Sequence, residues 1–261
     1  SGVKGDLSGY ANILNIRSSG DPVSLSGKLV GTTVEFSVNS AYSWLGYFGH
    51  LYGQHSMDEL LEDIITSLQA EFNTAEVTTS PLILDLDGDG VESISKTAGI
   101  HFDHDGNGFA ETTGWVGKDD GLLVWDRNGN GQIDDGSELF GNNTKVANGQ
   151  NAANGFTALA ELDSNQDGKI DANDAAFDQL RVWKDADSDA VLDAGELLGL
   201  GSANVGSLNT AYTNQNLTDA QGNKVLQAGT YTDANGVVRS MNDIWFAVDT
   251  ARTEELNDAV V

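Results

Sequence analysis

The chain of 261 residues has no cysteine, two prolines and two methionines, and its 13 lysines and arginines face 40 aspartates and glutamates. Each shortage excludes something. Without cysteine there is no disulfide framework, no thiolate metal site and no cysteine nucleophile. A net charge of -27 works against nucleic acid and anionic membranes as partners and favours bound cations. No apolar run approaches the length that spans a bilayer, and no basic-then-apolar leader opens the sequence, which reads as an internal piece of a longer chain. Two methionines are too few for a calcium sensor that opens a Met-rich groove. No Ser-His-Asp or Cys-His constellation is visible.

What is abundant is aspartate at regular spacing. Asp163, Asn165, Asp167, Lys169, Asp171 and Asp174 occupy positions 1, 3, 5, 7, 9 and 12 of a loop of the EF-hand kind, and Asp185, Asp187, Asp189, Val191, Asp193 and Glu196 repeat the pattern. Twelve residues wrap their own oxygens around one hard cation. Side chains at 1, 3 and 5 turn inward, the carbonyl at 7 adds an oxygen, and the acid at 12 closes the shell. Both loops carry a hydrophobe at position 8, Ile170 and Leu192, suited to pairing one loop with another. Two departures stand out. Asp174 replaces the usual Glu, and Ala190 stands where glycine takes the sharp turn, at a cost in strain.

Three further loops repeat the start of the pattern. Asp85, Asp87 and Asp89 follow the apolar run Leu82-Ile83-Leu84, but Lys96 falls at position 12, so this loop must borrow ligands from elsewhere, with Glu92 one candidate, or bind weakly. Asp103, Asp105 and Asn107 are followed by Glu111 at position 9. Asp126, Asn128 and Asn130 are followed by Asp134 at 9 and by Glu138 one residue late. The bland reading of the tandem pair is a set of solvated turns, which two complete ligand sets in series argue against, and that of the loops at 103 and 126 is a turn at a hairpin tip. Ca2+ is the expected cofactor. Without it the crowded carboxylates repel, and the acidic part should be loose or unfolded.

The rest of the chain suggests an α+β architecture. Residues 1–79 read as a β-rich domain with one amphipathic helix at 57–72, opened by a capping box from Ser56 and Glu59. Aromatic residues at 42–52 fit core packing better than a binding face, and His50 and His55 lack the company a zinc site needs. A polar stretch at 73–80 marks the boundary to a calcium module at 80–249, and residues 250–261 read as a tail. Helices are expected at 154–162, entering the first tandem loop, and at 175–184, linking the two loops. Asn235-Gly236 and Gly222-Asn223 read as hairpin turns, and residues 244–248 as a final buried strand. His101 and His104 are expected at the surface, Trp115 and Trp125 in the core.

With these residues in view, the part from 81 to about 249 resembles the self-processing module of iron-regulated RTX proteins, bacterial proteins exported by type I secretion. The likeness rests on Pro81-Leu-Ile-Leu-Asp-Leu-Asp-Gly-Asp-Gly90, on the run from Leu162 to Asp174, on Phe177-Asp-Gln-Leu-Arg-Val-Trp183 and on Ile244-Trp-Phe. It implies a secreted or cell-surface protein whose module folds on calcium and cleaves the Asp-Pro bond at its own N-terminal edge. The aspartyl end is then joined to a lysine amine of another protein. An Asp side chain can attack its own carbonyl to close a five-membered anhydride, and folding supplies the orientation. The resemblance makes Asp163, Asp174, Asp185 and Glu196 the acids on which calcium-dependent folding depends. The pattern fails where the chemistry starts, because Ser80 precedes Pro81 and cannot form the anhydride. The chain as it stands is therefore expected to stay intact. The competing reading is a calcium-stiffened adhesion or binding domain facing a cell-surface partner.

Overall fold

The computed structural model describes residues 77–255, together with strands β1 (Asn15–Ser18), β2 (Ser26–Val30) and β3 (Thr33–Val38). By contacts the chain divides into two compact units, Ser1–Thr74 and Ala75–Val261. In the first, β3 is central, parallel to β1 and antiparallel to β2. The helix expected at 57–72, the aromatic stretch, His50 and His55 lie outside the described residues.

The second unit is almost wholly β, which corrects the α+β expectation. Its main sheet runs β11 (Lys169–Ile170), β14 (Val205–Thr218), β15 (Lys224–Asp233), β16 (Val238–Glu255), β5 (Leu82–Leu84), β10 (Gly121–Val124), β12 (Arg181–Trp183) and β13 (Leu197–Gly199). The 18-residue β16 also pairs with β4 (Val77–Thr79) and β8 (Phe109–Thr113), and β8 with β7 (Ile100–Phe102). A separate ribbon joins β6 (Ser93–Ile94) to β9 (Trp115–Val116). Every pairing among the described strands of this unit is antiparallel. Tight turns containing Gly222 and Gly236, both at positive φ, close the β14–β15 and β15–β16 hairpins.

The centre of the sheet is buried on both faces, and this explains why its strands read as unbroken apolar runs. Leu82 and Leu84 enter one core with Leu123, Leu180, Val182 and Met241, while Ile83 enters the other with Leu122, Val124, Trp183, Ile244 and Phe246. Successive residues of a strand point to opposite faces, so both parities must be apolar. Helix α1 (Gly155–Ala160) covers the first core with Phe156 and Leu159; its N-cap Asn154 accepts from the Thr157 N–H at 2.8 Å.

The helix expected at 175–184 is absent. A 3-10 turn, Phe177–Gln179, leads directly into β12. Phe177, Leu180 and Trp183 do share a helical spacing, but Val182 and Trp183 are both fully buried on opposite faces, each held by pairing with Leu123 and Leu122 of β10. Sheet pairing and double burial outweigh the local signal. The acidic loops are thus strung between strands and 3-10 turns, and do not sit between the paired helices of an EF-hand.

Leu123→Ala removes a fully buried side chain from the central strand β10. It should cost about 2–5 kcal/mol of unfolding free energy, read by urea denaturation in saturating calcium.

Candidate metal centres and the bond before Pro81

The acidic loops share one internal wiring. The aspartate at position 1 accepts backbone N–H groups from the residues three to five ahead: Gly88 to Asp85 at 2.7 Å, Gly106 and Gly108 to Asp103 at 2.8 Å, Gly129 to Asp126 at 2.7 Å, Gly168 to Asp163 at 2.8 Å, Ser188 to Asp185 at 2.7 Å. Each loop thereby curls around its first carboxylate, and the alternate side chains at 3 and 5 converge near it.

The closing acids are equally uniform. Asp174 accepts the N–H of Ser164 at 2.8 Å and that of Asp171 at 3.0 Å. Glu196 accepts Ala186 at 2.8 Å and Asp193 at 3.0 Å, and Glu138, despite its late position, accepts Arg127 and Asp134, both at 2.9 Å. In each loop the closing acid ties position 2 to position 9. The first loop, which lacks an acid at 12, finds one from elsewhere. Asp120 accepts the N–H of Leu86 at 3.2 Å and of Glu92 at 2.7 Å, spanning positions 2 and 8. Sequence spacing could not find Asp120, because it arrives through the fold from beyond β9.

Among the described residues, carboxylates converge closely enough to share an ion in three places: Asp85, Asp87 and Asp89; Asp103, Asp105 and Glu111; and Asp185, Asp187 and Glu196. These clusters could hold a metal ion. Asp189, Val191 and Asp193 complete the third loop's backbone, with Val191 exposed. In the loop at 163–174, Asp171 instead pairs with Lys169 at 2.6 Å, and Asn165 hydrogen-bonds Asp167 at 3.2 Å. In the loop at 126–138, Asn128 and Asn130 both donate to Asp134, at 2.9 and 2.8 Å. Asn107 accepts from the Phe109 N–H at 2.8 Å.

Electrostatics favour a cation at the clustered sites. Burial, then the charges of Asp105 and Asp103, push Glu111 up to about 7. Burial, and then contact with Asp120 and Asp89, push Glu92 up to about 8, and its Oε2 is buried without a hydrogen-bond partner. An orphaned carboxylate oxygen beside a triad of aspartates is what a hard divalent cation would satisfy.

The third cluster is fastened to the core. Trp115 donates its indole N–H to Asp185 at 2.7 Å, and Trp183 donates to Glu196 at 3.3 Å. Ala190 does adopt the left-handed φ of +60°, as does Ser188 at +61°, and its methyl is buried in the core beside them. His104, expected at the surface, is buried. It lies 5.1 Å from the Phe102 ring and bonds Thr113 at 3.0 Å, and burial lowers it to about 3. Here the loop folds inward over the aromatic core instead of standing out from it. Trp115 is core, and Trp125 is half-buried beneath the Arg127 guanidinium at 4.5 Å.

Ser80 and Pro81 sit at the start of β5. Ser80 is buried, and Asn142 clamps it. Its N–H donates to Asn142 Oδ1 at 2.9 Å, and its hydroxyl accepts the Asn142 N–H at 3.1 Å. Pro81 forms an antiparallel bridge with Gly141, and its carbonyl accepts the Ile244 N–H at 3.2 Å. Gly141 packs so close that a Cβ there would fall 1.5 Å from the Ser80 carbonyl oxygen. Asp243, fully buried, lies against the Ser80 side chain and accepts the Gly155 N–H at 2.6 Å; burial pushes it up to about 7.

Residues 82–247 match the SPM domain model, and the chain belongs to that family. It is 50% identical over 171 residues to the iron-regulated protein FrpA of Neisseria meningitidis serogroup C, a match covering 65% of this chain and 15% of that protein.

Trp115→Phe leaves Asp185 without one donor, which should cost about 1–3 kcal/mol and raise the calcium midpoint, read by circular dichroism during titration. In chelator, with an osmolyte added to hold the fold without metal, Glu111 and Asp120, the latter pushed up by burial to about 6, hold protons in the folded state that the unfolded chain has released. Stability should therefore fall as pH rises from about 4.5 to 7, read by thermal melting, and saturating calcium should remove that slope.

Proposed function

We propose that residues 80–249 are a calcium-folded self-processing module of a secreted RTX protein, held in an uncleaved form by Ser80. Membership of the SPM-domain family and the likeness to an iron-regulated protein support the class. The observation that carries the reading is the clamp on the 80–81 bond. A bond that merely linked two domains would be exposed, whereas this one is buried, gripped on both sides of its carbonyl by Gly141 and Asn142, and continuous with the central strand β5. That grip supplies the orientation an intramolecular attack needs.

Calcium neutralises the acidic loops and so permits the fold, which ties cleavage to arrival in a calcium-rich exterior. The chain's own residues then present position 80. With aspartate there, the Asn142 N–H that now meets the serine hydroxyl would hold the carboxylate against its own carbonyl. The anhydride so formed would be opened by water or by a lysine amine of another protein.

Restoring the carboxylate tests this. The Ser80→Asp chain, prepared in chelator, should split between positions 80 and 81 when millimolar calcium is added, and should form a higher-mass adduct with a lysine-bearing partner. The unaltered chain should stay whole. Asp185→Asn in the same background should abolish both products. An intact Ser80→Asp chain that nevertheless folds on calcium would overturn the reading and leave a calcium-stiffened binding module in its place.

A further inference from the structure

We infer that Asp243 is the proton donor to the Pro81 nitrogen when the bond at 80–81 is cleaved. The inference deepens the self-processing reading and rests on it.

Cleaving a prolyl amide makes a demand that the attacking carboxylate cannot meet. The leaving group is a dialkylamide unless its nitrogen is protonated as the C–N bond breaks, so an acid must stand beside the bond. Among the described residues around positions 80 and 81, Asp243 meets that demand. It lies on β16, in register with Leu82 and next to Ile244, whose N–H holds the Pro81 carbonyl. Its side chain reaches the Ser80 side chain, and the scissile carbon is only two bonds from the Ser80 Cβ.

The surroundings of Asp243 suit an acid. It is fully buried, with Oδ2 taken by the Gly155 N–H at 2.6 Å and Oδ1 left without a well-formed hydrogen bond. Its neighbours on the flanking strands, Leu82 of β5 and Gln227 of β15, are uncharged, and from the remaining elements it meets the Gly155 N–H and the Ser80 hydroxyl. With no cation beside it among the described residues, burial favours the neutral carboxyl, the form that can donate. A structural carboxylate would be expected to spend both oxygens on partners, as Asp174 and Glu196 do in their loops. Aspartate at position 80 would put a second carboxyl in the same buried space, and two such groups hold one proton between them.

The step balances. In the Ser80→Asp chain an ionised side-chain oxygen at position 80 bonds to that residue's own carbonyl carbon, the C–N bond to Pro81 breaks, and the Asp243 proton passes to the departing nitrogen. An anhydride, a neutral secondary amine and an ionised Asp243 result. Water or a lysine amine then opens the anhydride and returns a proton to Asp243.

The test uses the full-length Ser80→Asp chain in saturating calcium, with circular dichroism recorded alongside cleavage. Asp243→Asn in that background should slow cleavage by about 10²-fold or more while leaving the calcium-induced fold in place, and Asp243→Glu should recover part of the rate. The rate for Ser80→Asp itself should fall at alkaline pH while the chain stays folded, and that limb should vanish in the Asn variant. Cleavage at an undiminished rate in a folded Asp243→Asn chain would overturn the inference. So would a rate for Ser80→Asp that is level or rising through the alkaline range, a measurement that holds even where the Asn variant does not fold. A Ser80→Asp chain that never cleaves would instead overturn the self-processing reading.

Discussion

Two indole hydrogen bonds connect the acidic loop at 185–196 to the interior. Trp115 and Trp183 are fully buried, their rings 5.5 Å apart at 74°, and each gives its one polar hydrogen to a loop carboxylate, Asp185 or Glu196. The core thus contains charges that apolar packing cannot compensate, and taking carboxylates out of water is expensive unless they are paired or hold a metal. The same Trp183 pairs with Leu122, which pairs with Ile83, two residues beyond Pro81. The loop carboxylates and the strand that follows Pro81 are therefore joined through one packed stack.

Much of the loop geometry was legible because its signals are local. The position-1 aspartates and the closing acids Asp174, Glu196 and Glu138 adopt the wiring their spacing suggests, since a loop of twelve residues can satisfy its own N–H groups only in a few ways. Asp120 and Asp243 were not legible. Each reaches its partners across the sheet, 34 and 88 residues away in sequence, and no spacing rule encodes that. The fold was misjudged at 175–184 for a related reason. Helical spacing there coincides with a strand buried on both faces, and only β10 and β13 decide between the two. His104 looked exposed because its neighbours are acidic, yet its ring packs on Phe102, Trp115 and Phe246.

The glycines show where the backbone itself is a constraint. Gly141 has no room for a side chain against the Ser80 carbonyl, and Gly155 faces the Phe140 carbonyl and Leu82 at the same end of β5. Both sit where loop and helix press on the start of that strand, so the approach to the 80–81 bond is set largely by main chain.

The two sides of the 80–81 bond are anchored unequally. Downstream, Pro81 runs into a strand with neighbours on both edges and cores on both faces. Upstream, β4 contributes three residues to its ladder with β16, and Val77 at its far end is exposed. A cut here would leave the upstream fragment held noncovalently through β4, with the new amine fixed in place and the new carboxyl terminus on the looser arm. The severed end could then fray outward to meet an external nucleophile while the amine stayed behind, so that rejoining and transfer to another molecule compete through the opening of one short strand.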